Sequence, residues 1–335
     1  MDPLVEQMKV TFRRQQEAFL QHPYPTLSER REKLKALKAA LQRNQHPIAA
    51  AVSEDFGGRS PSETLLVEVA GPVLEINHAL SSLSRWMKPR RRHTELLFLT
   101  NRAWVMYQPK GVVGVITPWN FPLYLSVGPL VAALAAGNRV MIKMSEFTPR
   151  TTELLARMLR ECFAEDEVAV FGGEVEAAQA FSALPFNHIV FTGSPAVGVH
   201  VMRAASANLT PVTLELGGKS PALVSASASV EEAARRIAHG KTFNSGQICV
   251  SPDYALVPRD RVEPFVAAVA QSFRSMVPTI AGNQDYTSII NDRHAQRLKG
   301  VLDDARAKGA TVTACGDVAN ARRMPLHVVT GVRDD

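Results

Sequence analysis

The chain has 335 residues, with 46% apolar by type, 21% charged and a formal net charge of +6. That length supports a large core and about two domains, and the balance is that of a soluble α/β protein whose modest charge does not single out nucleic acid as a partner. Its three cysteines, Cys162, Cys249 and Cys315, are far apart and its nine histidines are scattered, which fits a reducing, cytoplasmic setting and argues against a disulfide framework or a metal site.

In chain order, residues 4–20 and 27–44 carry apolar residues at helical spacing, broken by Pro23-Tyr-Pro25. Thr26, Ser28 and Glu29 can start the second helix. The N-terminus has no apolar h-region, so no signal peptide is expected. Glu63–Trp86 reads as a further helix after the turn at Gly57-Gly58, and the basic run from Lys88 to His93 as a solvated loop. Strands follow at 104–108 and 111–116. Residues 111–138 are uncharged and long enough to resemble a membrane span, but Pro118, Pro122 and Pro129 break them into strand, turn and helix. From there strands at 139–143, 168–171 and 188–192 alternate with helices at 148–163, 174–184 and 193–205. Further helices are expected near 230–242, 260–275 and 294–309, and strands near 221–225, 253–257 and 311–315. The ending from Val329 reads as turn-like, with no closing element.

Strictly alternating elements imply a doubly wound α/β fold with a Rossmann-like parallel sheet, followed by a second α/β domain. The boundary is placed at 211/212. Ligands of such sheets bind at the carboxyl ends of strands. Asn120, Lys143 with Glu146, and Gly193-Ser194 all fall at predicted strand ends. No GxGxxG marks a first βα turn. Gly193-Ser194 opening a helix is a looser phosphate site, since a helix N-terminus offers free N–H groups. Lys143 and Glu146 could bind ribose hydroxyls, or be an ordinary exposed pair.

Two residues stand out by their framing. Thr213-Leu-Glu215-Leu216 puts a carboxylate in an apolar strand-like run, where an unpaired buried charge is costly. Gly246-Gln-Ile-Cys249 puts a thiol just beyond a turn. A thiol is a nucleophile only with a lowered pKa or a nearby base, and Glu215 could be that base or could activate a water. Asn120 offers an amide donor to an oxyanion. Together with a dinucleotide-type sheet, these groups suggest a covalent thiohemiacetal that gives up a hydride.

Five motifs carry a resemblance over nearly the whole chain. They are Thr117-Pro-Trp119-Asn120-Phe-Pro, Lys143-Met-Ser-Glu146, Phe191-Thr-Gly193-Ser194, Leu214-Glu215-Leu-Gly-Gly-Lys219-Ser-Pro and Gly246-Gln-Ile-Cys249. In order and spacing they resemble the aldehyde dehydrogenase superfamily. Asp55–Ser60, Trp86–Arg92 and Phe243–Cys249 are similar to its class 3 branch, and within it to the coniferyl aldehyde dehydrogenases. The resemblance implies that Cys249 attacks the aldehyde carbon, the Asn120 amide holds the oxyanion and Glu215 activates the releasing water. It implies that Lys143 and Glu146 hold the adenosine ribose, that Gly193 and Ser194 approach the pyrophosphate, and that Thr117 and Trp119 line the cofactor site. The implied cofactor is NAD, with NADP as the alternative. The implied substrate is an aromatic aldehyde such as coniferyl aldehyde, or a medium-chain aliphatic one. The implied assembly is a homodimer, with no nucleic-acid or membrane partner.

Met144 stands where the family usually has Pro, and Pro195 where Thr is common. A Glu-x-Phe-Gly-Pro motif expected after Cys249 is not in the sequence, so a carboxyl-terminally truncated chain is expected, and with it the alternative of an inactive fragment that at most binds nucleotide or a partner. A CoA-dependent acylating relative would keep Cys249 but often lacks a base like Glu215.

Overall fold

The computed structural model describes residues 2–332. Its elements run α1 Pro3–Gln21, α2 Leu27–Arg43, α3 Gln45–Phe56, α4 Pro61–Thr64, α5 Gly71–Trp86, β1 Arg90–Arg92 and β2 Ala103–Val105. They continue with β3 Val112–Ile116, α6 Tyr124–Ala136, β4 Arg139–Lys143, α7 Pro149–Arg160, β5 Val168–Phe171, α8 Val175–Ser182, β6 His188–Gly193, α9 Pro195–Ser206 and β7 Val212–Leu216. The remainder is β8 Ser220–Leu223, α10 Val230–Thr242, β9 Pro252–Leu256, α11 Val262–Met276, α12 Asp292–Ala307, β10 Thr311–Ala314 and β11 His327–Thr330. Residues 65–70 form a single π-helical stretch between α4 and α5.

These elements form two compact units, one of residues 1–48 and 65–215, the other of 49–64 and 216–335. The second boundary lies four residues beyond the expected one, and the excursion at 49–64 was not expected. Its cause is polar. The Arg322 guanidinium donates to the carbonyls of Phe56, Ile289 and Ile290, the Ser288 N–H donates to Gly58 O at 2.9 Å, and Ser60 Oγ donates to Asp285 at 3.0 Å. Those bonds tie 49–64 to a stretch more than 200 residues downstream.

The first unit is built on a five-stranded sheet in the order β5-β4-β3-β6-β7. The pairings β3–β4, β4–β5 and β3–β6 are parallel. The uncharged stretch at 111–138 resolves into β3, a loop and α6. All five β3 residues are buried, as expected of a central strand covered on both faces. On one face Phe12, Phe171, Phe181, Phe186 and Phe191 pack into one cluster with Met8 and Ile189. Helix α2 starts at a closed capping box, in which Glu29 N–H donates to Thr26 Oγ1 and the Glu29 carboxylate accepts from Thr26 N–H at 2.6 Å. That exposed carboxyl is held down at about 2 by the Thr26 hydroxyl and N–H. Helix α6 ends on Gly137 at φ 90°, where a Cβ would come within 2.8 Å of the Arg30 guanidinium.

The second unit packs α10 and α11 around Phe265, Val269, Phe273 and Tyr286. Strands β8 and β9 pair parallel, β10 and β11 antiparallel. Two expectations are corrected here. The ending is not turn-like throughout, because His327–Thr330 is a strand in register with Thr311–Ala314; residues 333–335 lie outside the described residues. The basic run is not a loop either, since Arg90–Arg92 is an exposed strand paired with Ala103–Val105. Among the described residues no helix is long and apolar enough to cross a membrane.

Candidate active site

The first unit turns around β3: the chain winds to β4 and β5 on one side, then to β6 and β7 on the other. The strand order therefore reverses between β3 and β6, where doubly wound sheets open a crevice at their carboxyl ends. The register aligns Ile116 with both Lys143 and Phe191. Thr117, Lys143, Gly193 and Ser194 thus follow or close three adjacent strands at the same end of the sheet. Ser194 is the N-cap of α9 and accepts from Val197 N–H at 3.4 Å, with Pro195 in the first turn and the helix start exposed.

Lys143 is not one half of an ordinary exposed pair, for it is only 2% exposed. Its ammonium donates to Met144 O and Gly173 O, both at 2.7 Å. Burial pushes its pKa down, and Glu146 and Glu174 oppose that shift. Glu146 is half-buried and accepts from Ser145 Oγ at 3.2 Å.

Asn120 and Trp119 are half-buried in the loop between β3 and α6, and Thr117 is buried at its start. Thr117 N–H donates to Lys143 O at 3.0 Å, which extends the β3–β4 ladder into the loop. Leu125 N–H donates to Phe121 O at 3.0 Å, but α6 begins only at Tyr124 with Leu123 as N-cap, so Pro122 lies in the turn just before the helix and not in its first turn. Behind this loop lies Glu68, which sequence reasoning missed. It is fully buried, and its Oε2 accepts from Leu123 N–H at 2.7 Å and Tyr124 N–H at 3.0 Å. A carboxylate there satisfies two of the N–H groups orphaned at the start of α6. Nothing in the local sequence near Glu68 signals a partner 55 residues away.

Glu215 corrects the expectation of a buried charge. It is exposed on β7, whose end is open to solvent. Thr213, two residues earlier on the same face, bonds His188 Nε2 at 2.9 Å, and His188 Nδ1 in turn lies 3.0 Å from Lys110 Nζ. Burial and the Lys110 charge push His188 below its ordinary pKa. Glu215, Thr213, His188 and Tyr124 share the wall of a cavity of 530 Å³. A larger one of 890 Å³, lined by Leu83, Trp86 and Tyr107 among others, contains none of the candidate residues.

In the second unit Cys249 is exposed at the tip of a turn. The approach to it is tightly held. Asn244, Ser245 and Gly246 are all left-handed, at φ 50°, 51° and 74°. Asn244 N–H donates to both oxygens of Glu63 at 3.1 Å, and Ser245 Oγ donates to Thr287 O. The Gln247 amide donates to Asn244 O and Ser288 O at 3.0 Å and accepts from Ile290 N–H at 2.9 Å. On the far side Ser251 N–H donates to Ile248 O at 3.2 Å. Gln247 lies inside the quoted motif, but neither its clamp nor the role of Glu63 was anticipated. Burial pushes the Glu63 carboxyl above its ordinary range, against the bonds from Asn244 and Thr287 and the nearby Arg59 charge.

The structure thus brings Thr117, Lys143, Gly193 and Ser194 to one sheet end, and puts Cys249 on a braced turn of the other unit. Among the described residues no cluster of three or more His, Cys, Asp or Glu side chains is disposed to hold a metal.

Known proteins share this architecture. The chain is 52% identical to a probable coniferyl aldehyde dehydrogenase of Pseudomonas aeruginosa, over 99% of this chain and 70% of that protein. It is 47% identical to a coniferyl aldehyde dehydrogenase of a Pseudomonas species, over 98% and 69%. The solved substrate-bound state of Staphylococcus aureus AldH superposes with a TM-score of 0.92 at 32% identity, covering 98% of this chain and 71% of that one. A Mycobacterium tuberculosis aldehyde dehydrogenase complexed with NAD+ superposes with a TM-score of 0.87 at 25% identity, covering 98% and 69%. With residues 5–335 also matching the family as a whole, the chain belongs to the aldehyde dehydrogenase family.

Proposed function

We propose that this chain oxidises an aldehyde to the carboxylic acid with NAD, through a thiohemiacetal and then a thioester on Cys249. The observation that carries the reading is the braced, exposed turn that presents Cys249, in a chain whose family is aldehyde dehydrogenase. Cys249 Sγ attacks the carbonyl carbon, and the Asn120 side-chain amide donates to the oxygen as it gains charge. Bound NAD supplies the hydride acceptor. Glu215 takes a proton from the water that cleaves the thioester. Its exposure suits an exchange of protons with solvent between turnovers.

The donor set fits a dinucleotide. Lys143 is fixed by two carbonyls and keeps a third N–H for a ribose hydroxyl. At the exposed start of α9 Pro195 carries no N–H and Val197 N–H goes to Ser194 Oγ, so the Ala196 N–H and the positive end of the helix dipole would face a pyrophosphate beside Gly193 and Ser194, with Thr117 and Trp119 lining the site. The Glu146 carboxylate accepts from a ribose hydroxyl and repels a 2′-phosphate, which favours NAD over NADP.

The names of similar proteins support an aromatic substrate of the coniferyl aldehyde type. The exposed run Leu96–Leu99 supports association as a homodimer. Three free cysteines support a cytoplasmic setting. The test is NADH formation by the purified chain with coniferyl aldehyde and NAD. Turnover that is lost in Cys249→Ser is the expected result. Turnover that survives Cys249→Ser, or none from folded wild type, overturns the reading.

A further inference from the structure

Ser60-Pro-Ser-Glu63 has the spacing of a capping box, the same as Thr26-Leu-Ser-Glu29. The two behave differently. Glu29 closes on its own N-cap, its carboxylate taking the Thr26 N–H. At the second box only half of the pattern forms, with Glu63 N–H donating to Ser60 Oγ at 3.3 Å. The Ser60 N–H goes to Thr287 Oγ1 at 3.4 Å, and the Glu63 carboxylate leaves the helix altogether. It accepts the Asn244 N–H on both oxygens, 181 residues away, and the Thr287 hydroxyl at 2.9 Å.

That diversion lands on the most constrained backbone of the second unit. Left-handed conformations at Asn244 and Ser245 each cost about 1–2 kcal/mol, and no regular ladder spans them. They persist only if the surroundings over-determine them. Thr287 binds from both ends: its hydroxyl meets Glu63 and its carbonyl takes the Ser245 hydroxyl. Gln247 then fixes the chain two residues before Cys249, leaving a short tip between Gln247 and Ser251.

We infer that Glu63 is a positioning residue that holds the left-handed turn at Asn244–Gly246 and thereby sets the attitude of the Cys249 tip. The inference rests on the reading of Cys249 as nucleophile, but its test does not need turnover. Glu63→Gln keeps an acceptor for Asn244 N–H and a donor for the Thr287 hydroxyl oxygen; Glu63→Ala keeps neither.

The experiment is hydrogen exchange by mass spectrometry on the full chain, comparing peptides over 243–250 and 262–276. The rate of Cys249 alkylation by iodoacetamide is read on the same variants. Glu63→Ala is expected to speed exchange in 243–250 about tenfold while α11 stays within about threefold of wild type, and Glu63→Gln to stay within about threefold in both. Alkylation of Cys249 in Glu63→Ala is expected to move to the rate of a free Gly-Gln-Ile-Cys-Val-Ser peptide, and in Glu63→Gln to remain at the wild-type rate. Should Glu63→Ala fail to fold, Thr287→Val, which removes one donor to the carboxylate, is expected to speed 243–250 by clearly more than threefold, about fivefold, while α11 stays within about threefold. Unchanged exchange in 243–250, an equal rise in α11, or Glu63→Gln behaving as Glu63→Ala each overturn the proposal. Loss of turnover in wild type would count against the oxidation reading alone.

Discussion

Replacing Glu68 tests how the Asn120 loop is held. In Glu68→Ala the N–H groups of Leu123 and Tyr124 lose the carboxylate oxygen that they share at 2.7 and 3.0 Å. A buried N–H left without an acceptor costs about 1–3 kcal/mol. Leu123 is fully buried and should sit at the upper end; Tyr124 is half-buried, can recruit water and should sit at the lower end. The sum is about 3–4 kcal/mol, a large share of the typical 5–15 kcal/mol stability of a domain. Glu68→Gln keeps a carbonyl oxygen with two lone pairs, so it should lose only the charge assistance, about 1 kcal/mol. All three tryptophans, Trp86, Trp104 and Trp119, lie in the first unit, so their fluorescence during urea unfolding reports this unit. At a slope of about 3 kcal/mol per M, the midpoint should fall by about 1 M in Glu68→Ala and by about a third of that in Glu68→Gln. A fall in Glu68→Ala no larger than in Glu68→Gln would refute the reasoning, because it would mean that the two N–H groups do not depend on this acceptor.

Lys143→Met leaves the Met144 and Gly173 carbonyls without their donor and should cost some stability; in the folded variant it should also weaken NAD binding by about 10–100-fold, the equivalent of one charged hydrogen bond of about 1.5–3 kcal/mol, which calorimetric titration reads. Glu63→Gln should alter the pH dependence of stability. Burial raises the Glu63 carboxyl, so the stability of its protonated form is fully present below the ordinary value of 4.5 and lost as pH rises through the folded value. The glutamine variant should therefore gain on wild type between mildly acid and neutral pH and show no gain below 4.5, as followed by circular dichroism in urea. Gly246→Ala should cost about 1–2 kcal/mol for a side chain in a left-handed conformation. Its Cβ would also meet Lys241 O at 3.1 Å, so the same denaturation assay should give a value at or above that range.

Much of the fold was legible because each element of the sheet is local and strongly patterned. Val112–Ile116 is a continuous apolar run, and Thr148-Pro149 marks a helix start that the structure places at Pro149; the helix expected to open at Gly193-Ser194 starts two residues later at Pro195, with Gly193 closing β6 and Ser194 as N-cap. What was not legible depended on distant partners. His327–Thr330 is short, and its strand exists only because Thr311–Ala314 pairs with it. The burial of Lys143 could not be read from Ile142-Lys143-Met144, since what removes it from solvent includes the Gly173 carbonyl 30 residues on. The error at Glu215 had the opposite origin: apolar neighbours in sequence suggested a covered strand, but β7 is the sheet's edge, and edge position is a property of topology.

The same distinction separates the residues proposed as reactive from the residues that hold their loops. In the proposed reaction Cys249, Asn120 and Glu215 would each have to be of one chemical type at a fixed place in a motif, which is why a motif can point to them. Glu63 and Glu68 need only reach a particular backbone N–H, and a carboxylate can do that from many places. Yet these two lie five residues apart, on successive helical turns at 61–64 and 65–70, and the division between the units falls between them. Each works within its own unit: Glu63 takes the N–H at the base of the Cys249 turn, and Glu68 takes the N–H groups that end the Asn120 loop. The π-helical stretch at 65–70 widens the turn that separates them, so the two carboxylates need not follow the regular spacing of one α-helix face. Shortening that stretch by one residue would move Glu68 off the start of α6 without altering Glu63. Selective loss of first-unit stability, with exchange at 243–250 unchanged, is the outcome this arrangement requires.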